Sequence, residues 1–431
     1  MQNIKQFQFG DRLFLVYAIP ITVTILSAAD RYLEISGLIP LSMYVISLLS
    51  LLPIFLYVVF RSALLNRSRE LINLYSANRR VIFSFGALAL VVLIGAVYPD
   101  AYFDRKGEFL KPFIMFLVLL FSISMGTIPD VVRHHRKIFG VGFFCLVGSV
   151  VFDIVSPGTF SITVGRPGGL SLNPGVSAIL LVLLTIGIAD WQRLRFYDLI
   201  YWLVSFSAVF CTLARSGLLL WMICFTWYIL KQWKNREIKI FHVIGGLFLL
   251  GLTLIMTSDV LLMLQETTWF ESQNAQRRID FIANISELDA DQLRAEDRVW
   301  LLQKYMGYVF ESPIIGHGTG FSHGTGHLVS HNLFVHYWAE NGLIGLMVVL
   351  WFLGATAKHF QVNRDYRSIV VLVAIIVAGI VWHNNLFEHR SIVMLLGILA
   401  SVTSVNMKNL EGKQGGNSVS ASPVVFANHT V

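Results

Sequence analysis

Twelve separate apolar runs, most of them 15 to 20 residues long, take up about half of the chain, and no other feature limits its fold as much. A bilayer core needs about 20 mostly apolar residues per helix, with every backbone polar group satisfied inside the segment. The runs therefore predict membrane-crossing helices at roughly 13–29, 38–60, 81–98, 110–127, 138–156, 174–189, 198–214, 216–230, 240–257, 342–357, 368–383 and 391–405. Charged residues are only 14% of the 431, against about 25% in soluble domains, which excludes a soluble globule. The expected fold class is an all-α polytopic membrane protein of about 12 transmembrane helices with one long periplasmic loop.

Lys and Arg orient such a chain, because cytoplasmic loops carry them in excess. With the N-terminus cytoplasmic, 21 of the 33 fall in one set of loops over about 95 residues, and 12 in the other set over about 130. Both termini are expected in the cytoplasm. This distribution also accounts for the formal net charge of +7, so a nucleic-acid partner is excluded. Lys5 and Arg12 ahead of Leu13–Ala28 have the shape of a signal peptide cleaved near Ala29, but a retained first helix suits a multi-spanning chain better. Cys145, Cys211 and Cys224 lie inside apolar runs, where neither a loop disulfide nor a zinc cluster is placed to form.

Four regions follow: residues 1–257 as a nine-helix transmembrane region, 258–341 as a large periplasmic loop, 342–405 as three C-terminal transmembrane helices, and 406–431 as a disordered cytoplasmic tail. The long loop is the one extramembrane stretch large enough to build a site. Asp259 to Tyr308 has helical character, with Ser286 three residues before Asp289 as a weak capping signal. From Gly316 to His327, His-Gly-Thr-Gly appears twice. Five glycines in eleven residues predict a loop with close backbone approaches.

Arg215 stands between two apolar runs with no room for a conventional loop, so it either snorkels at a helix end or points into a cavity to hold an anion. Arg298, after Glu296-Asp297, reads alone as a surface salt bridge. Arg166, before Pro167-Gly168-Gly169, is a further candidate on the same side, with a plain turn residue as the alternative; Arg277 and Arg278 suit contact with lipid headgroups. Seven histidines fall outside: His317, His323, His327, His331, His336, His383 and His389. The spacing of four at His323, His327 and His331 raises metal binding, but glycines interrupt it and no carboxylate lies between His317 and His336, so no metal and no cofactor is expected. A single histidine acting as general base requires less. The spans lack the paired Asp, Glu or Lys of an ion-coupled transporter.

The stretch HNLFVHYWAENGLIG from His331 to Gly345 resembles the histidine motif of the bacterial O-antigen ligase family and of related O-antigen and exopolysaccharide polymerases. Ala-Arg-Ser-Gly around Arg215, Arg298-Val299-Trp300, Pro313 to Gly318 and the Arg166 loop with Asn173-Pro174 agree in order, so the resemblance covers about residues 160 to 400. It implies a metal-independent, inverting, GT-C-like membrane glycosyltransferase at the periplasmic face of the bacterial inner membrane. The donor would be an undecaprenyl-diphosphate-linked glycan. The acceptor would be lipid A-core for a ligase, favoured here, or a lipid-linked repeat unit for a polymerase, with a chain-length regulator as a candidate partner. In that scheme His331 is the general base, and Arg215 and Arg298 stabilise the diphosphate leaving group. Arg166, Asn332, Glu340, Asn341 and His317 become candidate substrate-binding residues, with helix capping the alternative for the asparagines and Glu340. Gly342 and Gly345 suit close packing. A lipid-linked glycan transporter is the reading from another class, and it would have no use for a histidine base.

Overall fold

A computed structural model describes residues 16–36, 43–64, 68–98, 101, 110–161, 166–235, 296–324, 330–381 and 385–416. The expected span at 240–257 lies outside them, as do Arg277, Arg278, Ser286, His327 and His383. Every regular element among the described residues is a helix. In chain order these are α1 (Val16–Leu26), α2 (Ala29–Ile35), α3 (Met43–Leu64), α4 (Ser68–Ala77), α5 (Arg79–Gly95), α6 (Lys111–Ser124) and α7 (Pro129–Val155). Then come α8 (Pro174–Ile188), α9 (Phe196–Cys211), α10 (Arg215–Lys234), α11 (Glu296–Glu311), α12 (Phe321–Gly324), α13 (Leu333–Val362), α14 (Tyr366–Val381) and α15 (Arg390–Gly416).

Two of these, α7 and α13, are each long and apolar enough to cross a membrane alone. At about 1.5 Å per residue, the 27 residues of α7 reach about 40 Å. Part of α3 with α4 forms a pair bent by 120°, and the other apolar helices are shorter, at 10–17 residues. Local breaks account for some of the shortening. Ala28 (φ 58°) interrupts the first apolar run, and Leu213 (φ 51°) turns the chain between α9 and α10.

Several boundaries move from the sequence reading. α13 begins at Leu333 rather than at 342, because His336, Glu340 and Asn341 dilute the apolar pattern of its first turns without preventing helix. α15 continues to Gly416, so the first part of the tail expected to be disordered from 406 is helical; its residues are polar but compatible with helix.

The bundle is organised around α8. Asn173 caps it by accepting from Gly175 N (2.9 Å) and Val176 N (3.4 Å), and Pro174 supplies the preset first turn. Nearly every residue from Pro174 to Ile188 is buried, as befits a helix apolar all round. α7, α9, α10 and α14 pack against it.

At one end of the bundle charges concentrate. Asp190 pairs with Arg195 (2.8 Å) and Arg136 (3.3 Å), Gln232 donates to Asp190 O (2.8 Å), and Lys231 lies 4.4 Å from the centroid of the Tyr366 ring. These contacts join the end of α8, the end of α10 and the start of α14. The start of α10, the end of α14 and the start of α13 therefore lie at the opposite end, where Gly379 of α14 meets Leu333 of α13.

Candidate active site

The Gly-rich loop is built into a break in α13. At Gly342 the backbone leaves helical geometry (φ 65°, ψ −166°), which removes Leu343 N from its place in the helix ladder. Leu343 N donates instead to Pro313 O (2.9 Å), while Ala339 O and Glu340 O accept from His317 N (3.0 Å) and Gly318 N (2.7 Å). The polar groups freed by the break are thus satisfied by the loop. Glycine is required on both sides: Gly316 (φ 80°) lies on the backbone of Glu340 and Gly342, and a side chain at Gly342 would meet the backbone of Ile314 and Ile315. The close approach expected of Gly342 is therefore between loop and helix.

Next along the loop, Thr319 N donates to Gly95 O (3.0 Å) and the Thr319 hydroxyl to Val92 O, which fastens the end of α5 to the same break. Glu340 secures the far side. Its buried carboxylate accepts from Gly320 N (3.1 Å), Ser322 N (3.3 Å) and the Ser322 hydroxyl, and lies 3.7 Å from His336 Nε2 one turn earlier. Burial, with the Glu340 carboxylate beside it, pushes the Tyr305 phenol of α11 up to about 12, so it stays protonated and donates to Ser322 O (3.4 Å). Asn341 Oδ1 accepts from Thr319 (3.4 Å), whereas Asn341 Nδ2 and His336 Nδ1 are buried with no partner among the described residues. His317 stacks on Phe321 (centroids 4.3 Å apart), and its Nε2 is 3.0 Å from Tyr308 O.

His331 is exposed and immediately precedes the cap of α13. Asn332 provides that cap, accepting from Phe334 N and Val335 N (3.0 Å each), and its Nδ2 donates to Ile380 O at the end of α14 (2.8 Å). The bland alternative for Asn332, helix capping, is what the structure shows. The hydrogen bonds that Asn332, Glu340 and Asn341 make among the described residues go to backbone, Thr319, Ser322 and His336.

Arg215 is the first residue of α10 and is exposed. A tight turn sets it there: Ala214 N donates to Thr212 Oγ1 (3.3 Å), and Gly217 lets α10 close onto Ala178 of α8. Arg166 is half-buried in the loop ahead of α8. That loop hangs on Asp153, fully buried in the last turn of α7. One carboxylate oxygen accepts from Gly168 N (2.9 Å) and Gly169 N (3.2 Å), the other from Phe160 N (3.1 Å) and Ser161 N (3.3 Å). Arg298 falls in the first turn of α11.

Arg166, Arg215, His331 and Asn332 therefore share one end of the bundle, opposite the Asp190 cluster. His317, Glu340 and Asn341 belong to the clamp around the Gly342 break. Asp153 and Thr319 are organising residues that the sequence reading does not single out, and Glu340, a candidate substrate ligand in the sequence, organises the clamp beside His336. A carboxylate within the apolar run around Asp153 was the available signal, since a charge there needs dedicated partners.

Fold and candidate site together define an all-helical protein with membrane-crossing helices, in which Arg166, Arg215, His331 and Asn332 share one end of the bundle and a Gly-rich loop is locked into a broken helix. Residues 199–350 match the family model described as O-antigen ligase, and this stretch contains Arg215, Arg298, His317, His331, Asn332, Glu340 and Asn341. Over that stretch, about a third of its length, the chain is similar to the O-antigen ligase family, the family that the motif at His331 also resembles. Comparison of the whole sequence with curated proteins gives no match.

Proposed function

We propose that the protein transfers a glycan from an undecaprenyl diphosphate carrier to an acceptor hydroxyl at the periplasmic face of the bacterial inner membrane, as a ligase acting on lipid A-core. The observation that carries this reading is the placement of His331. It is exposed, and it stands directly before a helix cap tied by Asn332 to α14, at the bundle end where Arg215 opens α10. A neutral imidazole so held can take the proton of an acceptor hydroxyl as it attacks the anomeric carbon, giving inversion. The departing diphosphate gains charge as the glycosidic bond breaks. Arg215 and Arg298 are the guanidiniums assigned to stabilise it, a charge that such a pair can meet without nucleotide or metal.

Arg166 is assigned to the donor side, since its loop leads into α8, whose Ala178 packs against Gly217 two residues beyond Arg215. Glu340, Asn341 and His317 serve by shaping the clamp, with the unpartnered Asn341 Nδ2 and His336 Nδ1 open to a water or a substrate hydroxyl. The concentration of Lys and Arg at the Asp190 end supports the orientation in which that end is cytoplasmic.

The test is the surface-glycan profile of cells lacking the gene and complemented with wild type or His331→Ala, with membrane levels of each protein matched. Loss of all polymer on lipid A-core while long lipid-linked chains accumulate is the result expected of a ligase. Glycan reduced to a single repeat on the core identifies a polymerase. Full complementation by His331→Ala removes the catalytic reading and leaves the lipid-linked glycan transporter.

A further inference from the structure

At the Lys/Arg-rich end, far from the Gly342 break, a cavity of about 600 Å³ opens between α4, the start of α5 and the end of α13. Asn73, Ser76, Arg79, Arg80, Lys358 and His359 are among the residues that line it. Beside it, sharing Arg80 and Lys358, lies a second cavity of about 440 Å³ lined also by Trp351, Gly354 and Ala355. Residues 351, 354, 355 and 358 recur at helical spacing, so the second cavity follows one face of α13 away from the basic end. Gly354 keeps it open: a Cβ there would meet nothing within 4 Å, and the Trp351 side chain beside it is 52% exposed.

The charges in the two cavities have one sign. No Asp or Glu lines either of them, and among the described residues Arg79, Arg80 and Lys358 make no ion pair. Three cations around a cavity call for an anion with several acceptor oxygens, and an apolar crease running from it along a membrane helix calls for a hydrocarbon chain. We propose that an anionic phospholipid of the leaflet at this end binds here, its phosphate between Arg79, Arg80 and Lys358 and an acyl chain along Gly354, Ala355 and Trp351. Surface lysines and arginines that merely obey the positive-inside rule need neither the cavity nor the crease.

The test uses the full-length chain, purified and delipidated in detergent. Binding of dioleoylphosphatidylglycerol, dioleoylphosphatidylcholine and inorganic phosphate is titrated by native mass spectrometry. Phosphatidylglycerol is expected to bind best. A cation near a membrane surface contributes about fivefold to anionic lipid affinity, so the double variant Arg80→Gln/Lys358→Gln should weaken it roughly 25-fold. Gly354→Leu, which keeps all three charges, should weaken the lipid by filling the crease. Arg364→Gln, at the same end but outside both cavities, should change affinity less than twofold. Equal affinity of wild type and the double variant overturns the proposal. So does inorganic phosphate binding as tightly as the lipid with Gly354→Leu silent, which would make this a site for free phosphate, and so does equal loss on Arg364→Gln, which would reduce the effect to surface charge.

Discussion

Glu340 separates a clamp from an acceptor ligand. Its carboxylate holds Gly320 N, Ser322 N and the Ser322 hydroxyl, with Ser322 itself fully buried. Glu340→Ala leaves two backbone amides without acceptors, one buried and one partly so, while the hydroxyl can rotate. At about 1–3 kcal/mol per buried orphaned donor, and less for the partly hydrated one, the local loss is about 2–4 kcal/mol. Glu340→Gln keeps one acceptor oxygen for Ser322 but turns an NH2 toward Gly320 N, for about 1–2 kcal/mol. Amide hydrogen exchange of a peptide covering 316–322, in detergent, reads this directly. A loss of about 2 kcal/mol speeds local exchange about thirtyfold, with the Gln variant between Ala and wild type. Unchanged exchange in both variants, with turnover falling only through weaker acceptor binding, would refute the clamp and return Glu340 to the substrate.

Other expectations follow from the same geometry. Gly342→Ala forces a side chain into a glycine-only conformation at about 1–3 kcal/mol and against the Ile314–Ile315 backbone for a similar further loss, so its melting temperature should fall well below that of Gly307→Ala, whose added methyl enters open space. Asp153→Ala orphans the buried Gly168 and Gly169 amides at about 2–6 kcal/mol, and limited proteolysis should cut the 156–173 loop of that variant first. Asp365, between α13 and α14, is opposed by burial, but Arg367, Thr403 and Ser368 outweigh it and hold its carboxyl below the ordinary value of 3.8. Its contribution is therefore complete above the unfolded value and disappears as pH falls through the lowered one; melting temperature should drop less between pH 6 and pH 3 for Asp365→Asn than for wild type.

Much of the bundle is legible from apolar runs alone, because a helix such as α8 has no polar face to confuse the pattern. The Gly-rich loop is legible in kind, since clustered glycines can only mean unusual backbone or close approach, and both occur at Gly316. Its destination is not. The break at Gly342 is stabilised by Pro313, His317 and Gly318, and Thr319 fastens the same loop to Gly95, a residue far earlier in the chain. No local pattern encodes such partners. For the same reason Glu340 and Asn332 look like substrate ligands in sequence, where a carboxylate and an amide near a catalytic motif invite that reading, yet their acceptor oxygens are occupied by backbone amides. Helix ends depart from the apolar pattern where polarity and helix propensity diverge, at Leu333 to Asn341 and beyond Val405.

In the proposed scheme His331 carries the chemistry and the clamp does not depend on it. The most direct measurement is turnover of the purified protein with an undecaprenyl-diphosphate-linked glycan and lipid A-core, comparing wild type with His331→Ala and following donor binding in parallel. A general base supplies about 10²–10⁴-fold, so kcat should fall by that factor while donor affinity and the exchange of the 316–322 peptide stay at wild-type values. Undiminished turnover by His331→Ala would show that His331 is not the base.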